Sequence, residues 1–418
     1  MQLKTILNRV EKYKSFVYGK VEWQGDGDIA ALVVHIEPRA NGQPVCSGCE
    51  RRRPGYDRSR EPRLFEFVPL WGIAVLFSYV MRRVDCPECG VVVEKVPWAQ
   101  GKQRLTRSYA WFLARWAKRL SWQTVAEVFS ASWATVYRAV ETAVDWGLQH
   151  RDLSTVTAIG VDEVLFHRGH KYLTVVYQIN TGCKRLLWVG QQRTAKTLLR
   201  FFRWLGPERT ARLRFVCSDM WKPYLKVIAY KASHVLHVLD RYHIVATINK
   251  AIDEVRAKEA KRLAASGYEP VLKRSRWAFL KRRENLTEQQ NLKLRDLLRY
   301  NLQSVRAYLL KVDFERFWNY VSPAWAGRFL DLWCTKAMRS RIEPIKKIAR
   351  SLRAHKPLIL NWFKARGEIS LGAVEGLNNK EKVVMRKSYG FRTFKVAEIA
   401  LYHAMGGLPE PPATHRFC

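Results

Sequence analysis

At 418 residues, with 48% hydrophobic content, the chain can bury two or three cores. Its 73 Lys and Arg against 37 Asp and Glu leave a formal charge of +36 and a pI near 10.1. An excess of this size repels itself and is not needed for folding, so a polyanionic partner is the default explanation. Nucleic acid fits better than a membrane surface. No apolar run approaches the roughly 18 residues of a span, no signal-like stretch follows Met1, and the basic residues are spread over the whole length. Of eight cysteines, four form two Cys-x-x-Cys pairs, while Cys183, Cys217, Cys334 and Cys418 are scattered. Without a secretion signal the expected compartment is a reducing cytoplasm, at the nucleoid of a bacterial-type cell, where such pairs bind metal.

Residues 1–100 read as a small β-rich module. Residues 28–36 form a strand candidate, and 64–84, interrupted by Pro69 and Gly72, supplies one or two more. The pairs Cys46-Ser47-Gly48-Cys49 and Cys86-Pro87-Glu88-Cys89 are separated by residues 50–85. Four soft thiolates in two tight pairs suit tetrahedral Zn²⁺ in a structural role; two unrelated turns are the plainer alternative. Between them lie Arg51, Arg52, Arg53, Arg58, Arg60 and Arg63. Arginines beside a zinc module suit phosphate or minor-groove contacts, and a solvated loop would look the same.

Residues 101–150 change period. Tyr109, Phe112, Leu113, Trp116 and Leu120 recur at helical spacing. Two shorter helical stretches, 121–129 and 133–140, are broken by Ser130-Ala131-Ser132, with Ser132 able to cap the second. Val125, Val128 and Phe129 are expected to pack on Val136 and Val140. The spacing predicts a helix-turn-helix presenting Trp133, Thr135 and Arg138 to a DNA groove, though a plain helical hairpin has the same pattern.

From 151 to 418 the chain reads as one α/β catalytic domain. Residues 157–166 form an apolar, β-branched strand with Asp162 and Glu163 in it, closed by the turn Arg168-Gly169-His170. A carboxylate inside a buried strand needs a cation or donors to meet it, whereas an edge strand would leave both acids solvated. Adjacent strand residues point to opposite faces, so Asp162 and Glu163 cannot both serve one site. Strands follow at 171–179 and 185–189, then a helix at 194–205 and a strand at 214–219 ending on Asp219. A helix from 222 leads to a strand at 234–240, which ends Asp240-Arg241-Tyr242-His243. Three antiparallel strands, then helix, strand, helix, strand is the ribonuclease-H-like order, with Asp219 at the carboxyl end where open sheets place their sites. Residues of about 245–365 read as an all-helical insertion, including a capping box at Thr287 and Gln290. In the segment 370–390, Glu375, Asn379, Lys382 and Arg386 share one helix face, as a metal ligand beside a phosphate clamp would, or as a solvated charged face would.

Asp162, Asp219 and Glu375 could meet at one end of a single sheet. Three carboxylates that close repel one another unless a cation sits among them. Hard oxygen ligands without a histidine cluster select Mg²⁺ or Mn²⁺, and two such ions clamp the attacking and leaving oxygens of a phosphoryl transfer.

The chain also resembles the DDE insertion-sequence transposases of the IS-L-three group. The motifs that carry the likeness are the Cys-x-x-Cys pairs, Gly160-Val161-Asp162-Glu163, Cys217-Ser218-Asp219-Met220, Asp240-Arg241-Tyr242-His243 and Arg276-Trp277-Ala278-Phe279-Leu280. It closes with Glu375-Gly376-Leu377-Asn378-Asn379-Lys380 and Tyr389-Gly390-Phe391. The resemblance implies that Asp162, Asp219 and Glu375 are the catalytic triad and that the front end binds the element's terminal repeats. It implies double-stranded DNA as partner and a homodimer or higher oligomer on it. Glu375 and Lys382 look like the Glu-x6-Lys of related transposases. Asp240 and His243, which match the family's Asp-Arg-aromatic-His, read as a structural or orienting pair, with an auxiliary fourth acid near the metals as the alternative. Leu371 and Glu381 depart from the pattern, standing where Asn and an apolar residue are expected. A non-catalytic DNA-binding regulator and a junction-resolving nuclease are the rival readings. The intact trio of acids disfavours the first; the zinc module and Glu-x6-Lys disfavour the second.

Overall fold

The computed structural model describes residues 3–25, 30–167, 171–366, 368, 372–388 and 390–412. The chain is a mixed α and β protein of two compact units, 1–151 with 384–418, and 152–383. Expected features at Asp28, Ile29, the Arg168-Gly169-His170 turn, Ser370, Leu371, Tyr389 and Cys418 lie outside the described residues.

The first unit opens with α1 (Leu3–Val10), β1 (Phe16–Gln24), β2 (Ala31–Pro38), β3 (Gly55–Arg58), β4 (Arg63–Leu70), β5 (Ile73–Tyr79), β6 (Arg82–Cys86) and β7 (Gly90–Val93). The expected strand at 28–36 begins instead at Ala31 and runs to Pro38, and 64–84 holds β4, β5 and the start of β6. Two separate sheets result, β1-β2-β5-β4 and β3-β6-β7. The first buries one alternating face: Phe65, Phe67, Val75 and Phe77 close over Phe16, Tyr18 and Trp98. The second buries Arg82, Val84 and Cys86 of β6, and Cys46 joins its small apolar cluster.

Helices α2 (Arg107–Arg119), α3 (Trp122–Val128) and α4 (Trp133–His150) follow. Each begins on a hydroxyl cap, Thr106, Ser121 and Ser132, whose oxygen accepts a backbone N–H of the first turn. Val125, Val136 and Val140 are buried as expected, but Val128 is 59% exposed. A helix as short as α3 offers one inward stripe, and Phe129 takes the place, its ring 4.9 Å from Phe112 and 5.8 Å from Trp116.

The second unit builds β8 (Ala158–His167), β9 (Lys171–Asn180), β10 (Cys183–Gln191), α5 (Ala195–Leu205), α6 (Pro207–Ala211), β11 (Phe215–Ser218), α7 (Lys222–Lys231) and β12 (Leu236–Leu239). The sheet order is β10-β9-β8-β11-β12. The first three strands are antiparallel neighbours, and β8, β11 and β12 run parallel. Ile159, Val161, Val176, Leu187 and Val216 pack against Leu198, Phe201 and Ile228 of the helices.

The chain then turns helical: α8 (Arg241–Ala265), α9 (Arg276–Leu280), α10 (Glu288–Leu297), α11 (Gln303–Glu315), α12 (Pro323–Arg339), α13 (Glu343–Ala354) and α14 (Lys356–Lys364). The capping box forms, with Gln290 N donating to Thr287 and the Gln290 side chain accepting from the Thr287 N–H. Buried Glu259 of α8 accepts from the backbone N–H groups of Gln303 and Ser304, both at 2.8 Å, and so caps α11 where Leu302 cannot.

α15 (Ala373–Lys387) and α16 (Phe394–Met405) end the fold. Gly160 on β8 seats α15: a Cβ there would stand 2.4 Å from Val374 Cγ2, so only glycine lets the helix lie this close to the sheet. In the first unit Glu410 takes Arg115 at 2.9 Å and Lys118 at 3.0 Å, which ties the last segment to α2.

Candidate functional site

The parallel register pairs Gly160 with Cys217 and Ser218 with Leu239. Two residues beyond the first pair and one beyond the second, Asp162, Asp219 and Asp240 fall level across three adjacent strands. All three are buried. Ionised carboxylates in that position need partners, and each has some. Asp162 accepts from the Asn378 amide of α15, and from Glu163 N at 2.8 Å; His243 Nε2 lies 3.5 Å from it. Tyr177 OH fixes the amide by donating to Asn378 Oδ1 at 3.0 Å. Asp219 accepts from Trp221 N at 3.0 Å and from Arg193 at 2.7 Å. Asp240 caps α8 through Tyr242 N at 2.8 Å, with His243 Nε2 3.8 Å away.

Electrostatics mark the same place. Burial pushes the Asp240 carboxyl up to about 6 against the Tyr242 N–H and His243, with Asp162 and Glu375 adding to the rise. Burial and then Asp219 push Glu163 up to about 7, with Arg193 opposing. For His243 burial works downward but is outweighed by Asp162, Asp240 and Asp219, which raise the ring to about 9. The site carries more buried acid than its one arginine and one histidine balance, and it offers hard oxygens. That donor set fits a divalent cation.

Glu375 is exposed on α15, with Asn379, Lys382 and Arg386, while Ala373, Val374, Leu377 and Glu381 turn inward. The helix face read from spacing is therefore the solvent face of α15. Glu381 occupies a position expected to be apolar: it is buried, and burial with Asp162 raises its carboxyl to about 7 against Lys382. Sequence reasoning missed Arg193, Asn378 and Tyr177, which lie on a loop, a helix and a neighbouring strand with no periodic signal linking them. Alternation did separate Asp162 from Glu163, yet Glu163 joins Asp219 through Arg193 at 2.8 Å.

Among the described residues the four cysteines are the one group of possible metal ligands drawn within 4.8 Å of one another; the acids, held by their own partners, stand wider. Gly48 N donates to Cys46 Sγ at 3.4 Å, and Cys49 Sγ lies 3.6 Å from Cys86 Sγ. A Cβ on Gly48 would come 2.7 Å from Cys89 Sγ. Burial works against ionisation of Cys86, but the N–H groups of Glu88 and Cys89 and the neighbouring thiols bring it down to about 6. Thiolates gathered this tightly around a missing side chain fit structural zinc. Arg51 and Arg53 both converge on Glu88 of the second knuckle, at 2.7 and 2.8 Å, and Arg52 is exposed.

On α4 Trp133 is exposed and stacks on Tyr137 at 5.6 Å. Arg138 is exposed, and Thr135 donates its N–H to the Ser132 cap. No helix among the described residues is long and apolar enough to cross a membrane.

A family of DDE transposases of the IS-L-three type, described as Transposase, matches residues 159–401, a span that holds Asp162, Asp219, Asp240 and Glu375. The transposase for insertion sequence element IS1001 of Bordetella parapertussis is 30% identical over 376 residues, 89% of this chain and 91% of that protein. The transposase for IS1557 of Mycobacterium tuberculosis is 27% identical over 438 aligned positions, 96% of this chain and 95% of its own.

Proposed function

The chain belongs to the DDE transposases of the IS-L-three group, and on that premise we propose that it binds the terminal inverted repeats of its insertion sequence, cleaves the element ends and joins the freed 3′-hydroxyls to target DNA. The observation that carries the reading is the levelling of Asp162 and Asp219 on adjacent parallel strands beneath α15, which bears Glu375. We assign these three acids as ligands of two Mg²⁺ or Mn²⁺ ions; when bound, the ions would stabilise charge on the attacking and leaving oxygens. The protein's own part is to hold the acids. Asn378 and His243 orient Asp162, Trp221 N–H and Arg193 orient Asp219, and Asp240 with His243 is an auxiliary pair. Lys382 and Arg386, on the exposed face of α15 with Glu375, would clamp phosphate.

The strand order of 158–239 supports a ribonuclease-H-like catalytic domain, which we assign to 151–418 with 245–365 as its helical insertion, although 384–418 packs with the first unit. The capped pair α3 and α4 supports a helix-turn-helix within 101–150, with Trp133, Thr135 and Arg138 reading a groove. The module 1–100, with zinc on Cys46, Cys49, Cys86 and Cys89, would bring Arg51, Arg52 and Arg53 to the DNA backbone. The protein would act in the cytoplasm, as a homodimer or higher oligomer on double-stranded DNA. To test this, a duplex carrying the repeats that flank the coding sequence is incubated with the protein and Mg²⁺. New 3′-hydroxyl ends at the repeat boundary are expected, and an uncut duplex with both Mg²⁺ and Mn²⁺ would reject the reading.

A further inference from the structure

Arg193 lies between two carboxylates that strand alternation puts on different faces. One Nη2 reaches Glu163 Oε1 at 2.8 Å and Asp219 Oδ2 at 2.7 Å. The guanidinium carbon stands 4.6 Å over the Trp221 ring, and the backbone N–H of Trp221 donates to Asp219 Oδ1 at 3.0 Å. Asp219 is therefore held at both oxygens, once by Arg193 and once by the residue on which Arg193 stacks. The outer atoms of the pair, Glu163 Oε2 and Arg193 Nε, are buried with no hydrogen-bond partner. An arginine recruited for phosphate would keep its fork free for a bidentate contact; here Nη2 is shared by two acids and the guanidinium lies over a ring.

A fixed cation touching a metal ligand poses an electrostatic problem, because it repels the metal. Glu163 answers it by cancelling the charge of Arg193 at the same nitrogen. Each oxygen of Asp219 keeps a second lone pair beyond the one already used. We propose that Glu163 and Arg193 form a charge-neutral brace that sets the direction in which Asp219 presents its remaining lone pairs to a divalent cation. Both are positioning residues, Arg193 for orientation and Glu163 for charge balance. The inference rests on the reading of Asp219 as a metal ligand.

The test is Mn²⁺ binding to the zinc-loaded full-length chain at pH 8 without DNA, followed by electron paramagnetic resonance of the free ion. Saturated cleavage of the terminal-repeat duplex is measured beside it. Glu163→Gln leaves Arg193 uncompensated, so the Mn²⁺ dissociation constant should rise about 10–100-fold, the range typical of lost outer-shell partners. Arg193→Gln removes the repelling cation and should bind Mn²⁺ no more weakly than the parent, yet its cleavage at saturating Mn²⁺ should fall about tenfold or more. The double variant restores neutrality, so its affinity should return towards the parent's while cleavage stays low. A merely structural pair would instead lower binding in all three variants. If Arg193→Gln does not fold, Arg193→Lys takes its place: it keeps the charge and loses the guanidinium fork, so affinity should hold and saturated cleavage fall. Parent-like affinity in Glu163→Gln, or a double variant as weak as Glu163→Gln, overturns the brace. Asp219→Asn binding Mn²⁺ as the parent does overturns the assignment of Asp219 itself, and the brace with it.

Discussion

His237 and Ser218 meet inside the five-stranded sheet, imidazole Nε2 2.9 Å from the hydroxyl, one residue before Asp219. Burial pushes the ring down to about 4, whereas in the unfolded chain it titrates near 6.5. Between those values the unfolded state binds the extra proton. The neutral ring's contribution is thus complete above about pH 6.5 and is lost as pH falls towards 4. His237→Asn should remove about 2–3 kcal/mol of the acid-side loss in the second unit by pH 4.5. Thermal melts at pH 7 and 4.5 check this, and a variant that loses stability as steeply as the parent would refute it. At this scale the sequence was legible wherever one residue broke a local pattern. Asp162 interrupts an apolar strand, Asp219 stands one residue past the end of β11 rather than as its last residue, and Glu375 lies in the first turn of α15. Their partners were not legible. Asn378 rather than Asn379 turns to Asp162, because the inward side of α15 is set by Val374 against Gly160 and not by the charge spacing.

At the scale of elements, the two sheets of the first unit differ in what holds them. The aromatic sheet has Phe65, Phe77 and Trp98 wholly buried. The β3-β6-β7 sheet has three buried residues, Arg82, Val84 and Cys86, and with Cys46 beside them the apolar area is so small that metal should be needed to hold it. Cys89→Ser, or Gly48→Ala with its intruding Cβ, should release zinc and unprotect the amides of β6 and β7 to hydrogen exchange. Protection in β4 and β5 should persist, and uniform loss across both sheets would show that they form one cooperative piece. Gly160→Ala tests the seat of α15. The added methyl should cost about 1–3 kcal/mol in the second unit and depress cleavage, and adding Val374→Ala should restore both. An unaltered single variant would mean that α15 does not need this close approach. Several strands with their own apolar run were readable, as were helices such as the Ser132-capped α4, but β1 and the Thr393-capped α16 were not. β3 was not: Gly-Tyr-Asp-Arg is exposed throughout and pairs only because the knuckles bring β6 beside it. Val128 failed to turn inward for a similar reason, while Phe129 packs on Phe112 and Trp116 of α2, since three helices decide which side of α3 is inside.

For the whole molecule, the formal charge of +36 should supply a counterion-driven attraction to DNA that does not depend on the acids of the second unit. Binding and chemistry should therefore separate, and the central claim is that the chemistry belongs to the acid trio. The most direct measurement compares the parent with Glu375→Gln on a labelled terminal-repeat duplex, scoring binding, end cleavage and strand transfer in Mg²⁺. Glu375 is exposed on α15 and makes no packing contribution that the amide would remove. The account predicts unchanged duplex binding, with cleavage and strand transfer lost together because one set of ligands serves both steps. Cleavage by Glu375→Gln at a rate near the parent's would contradict it and would pass the third ligand to Asp240.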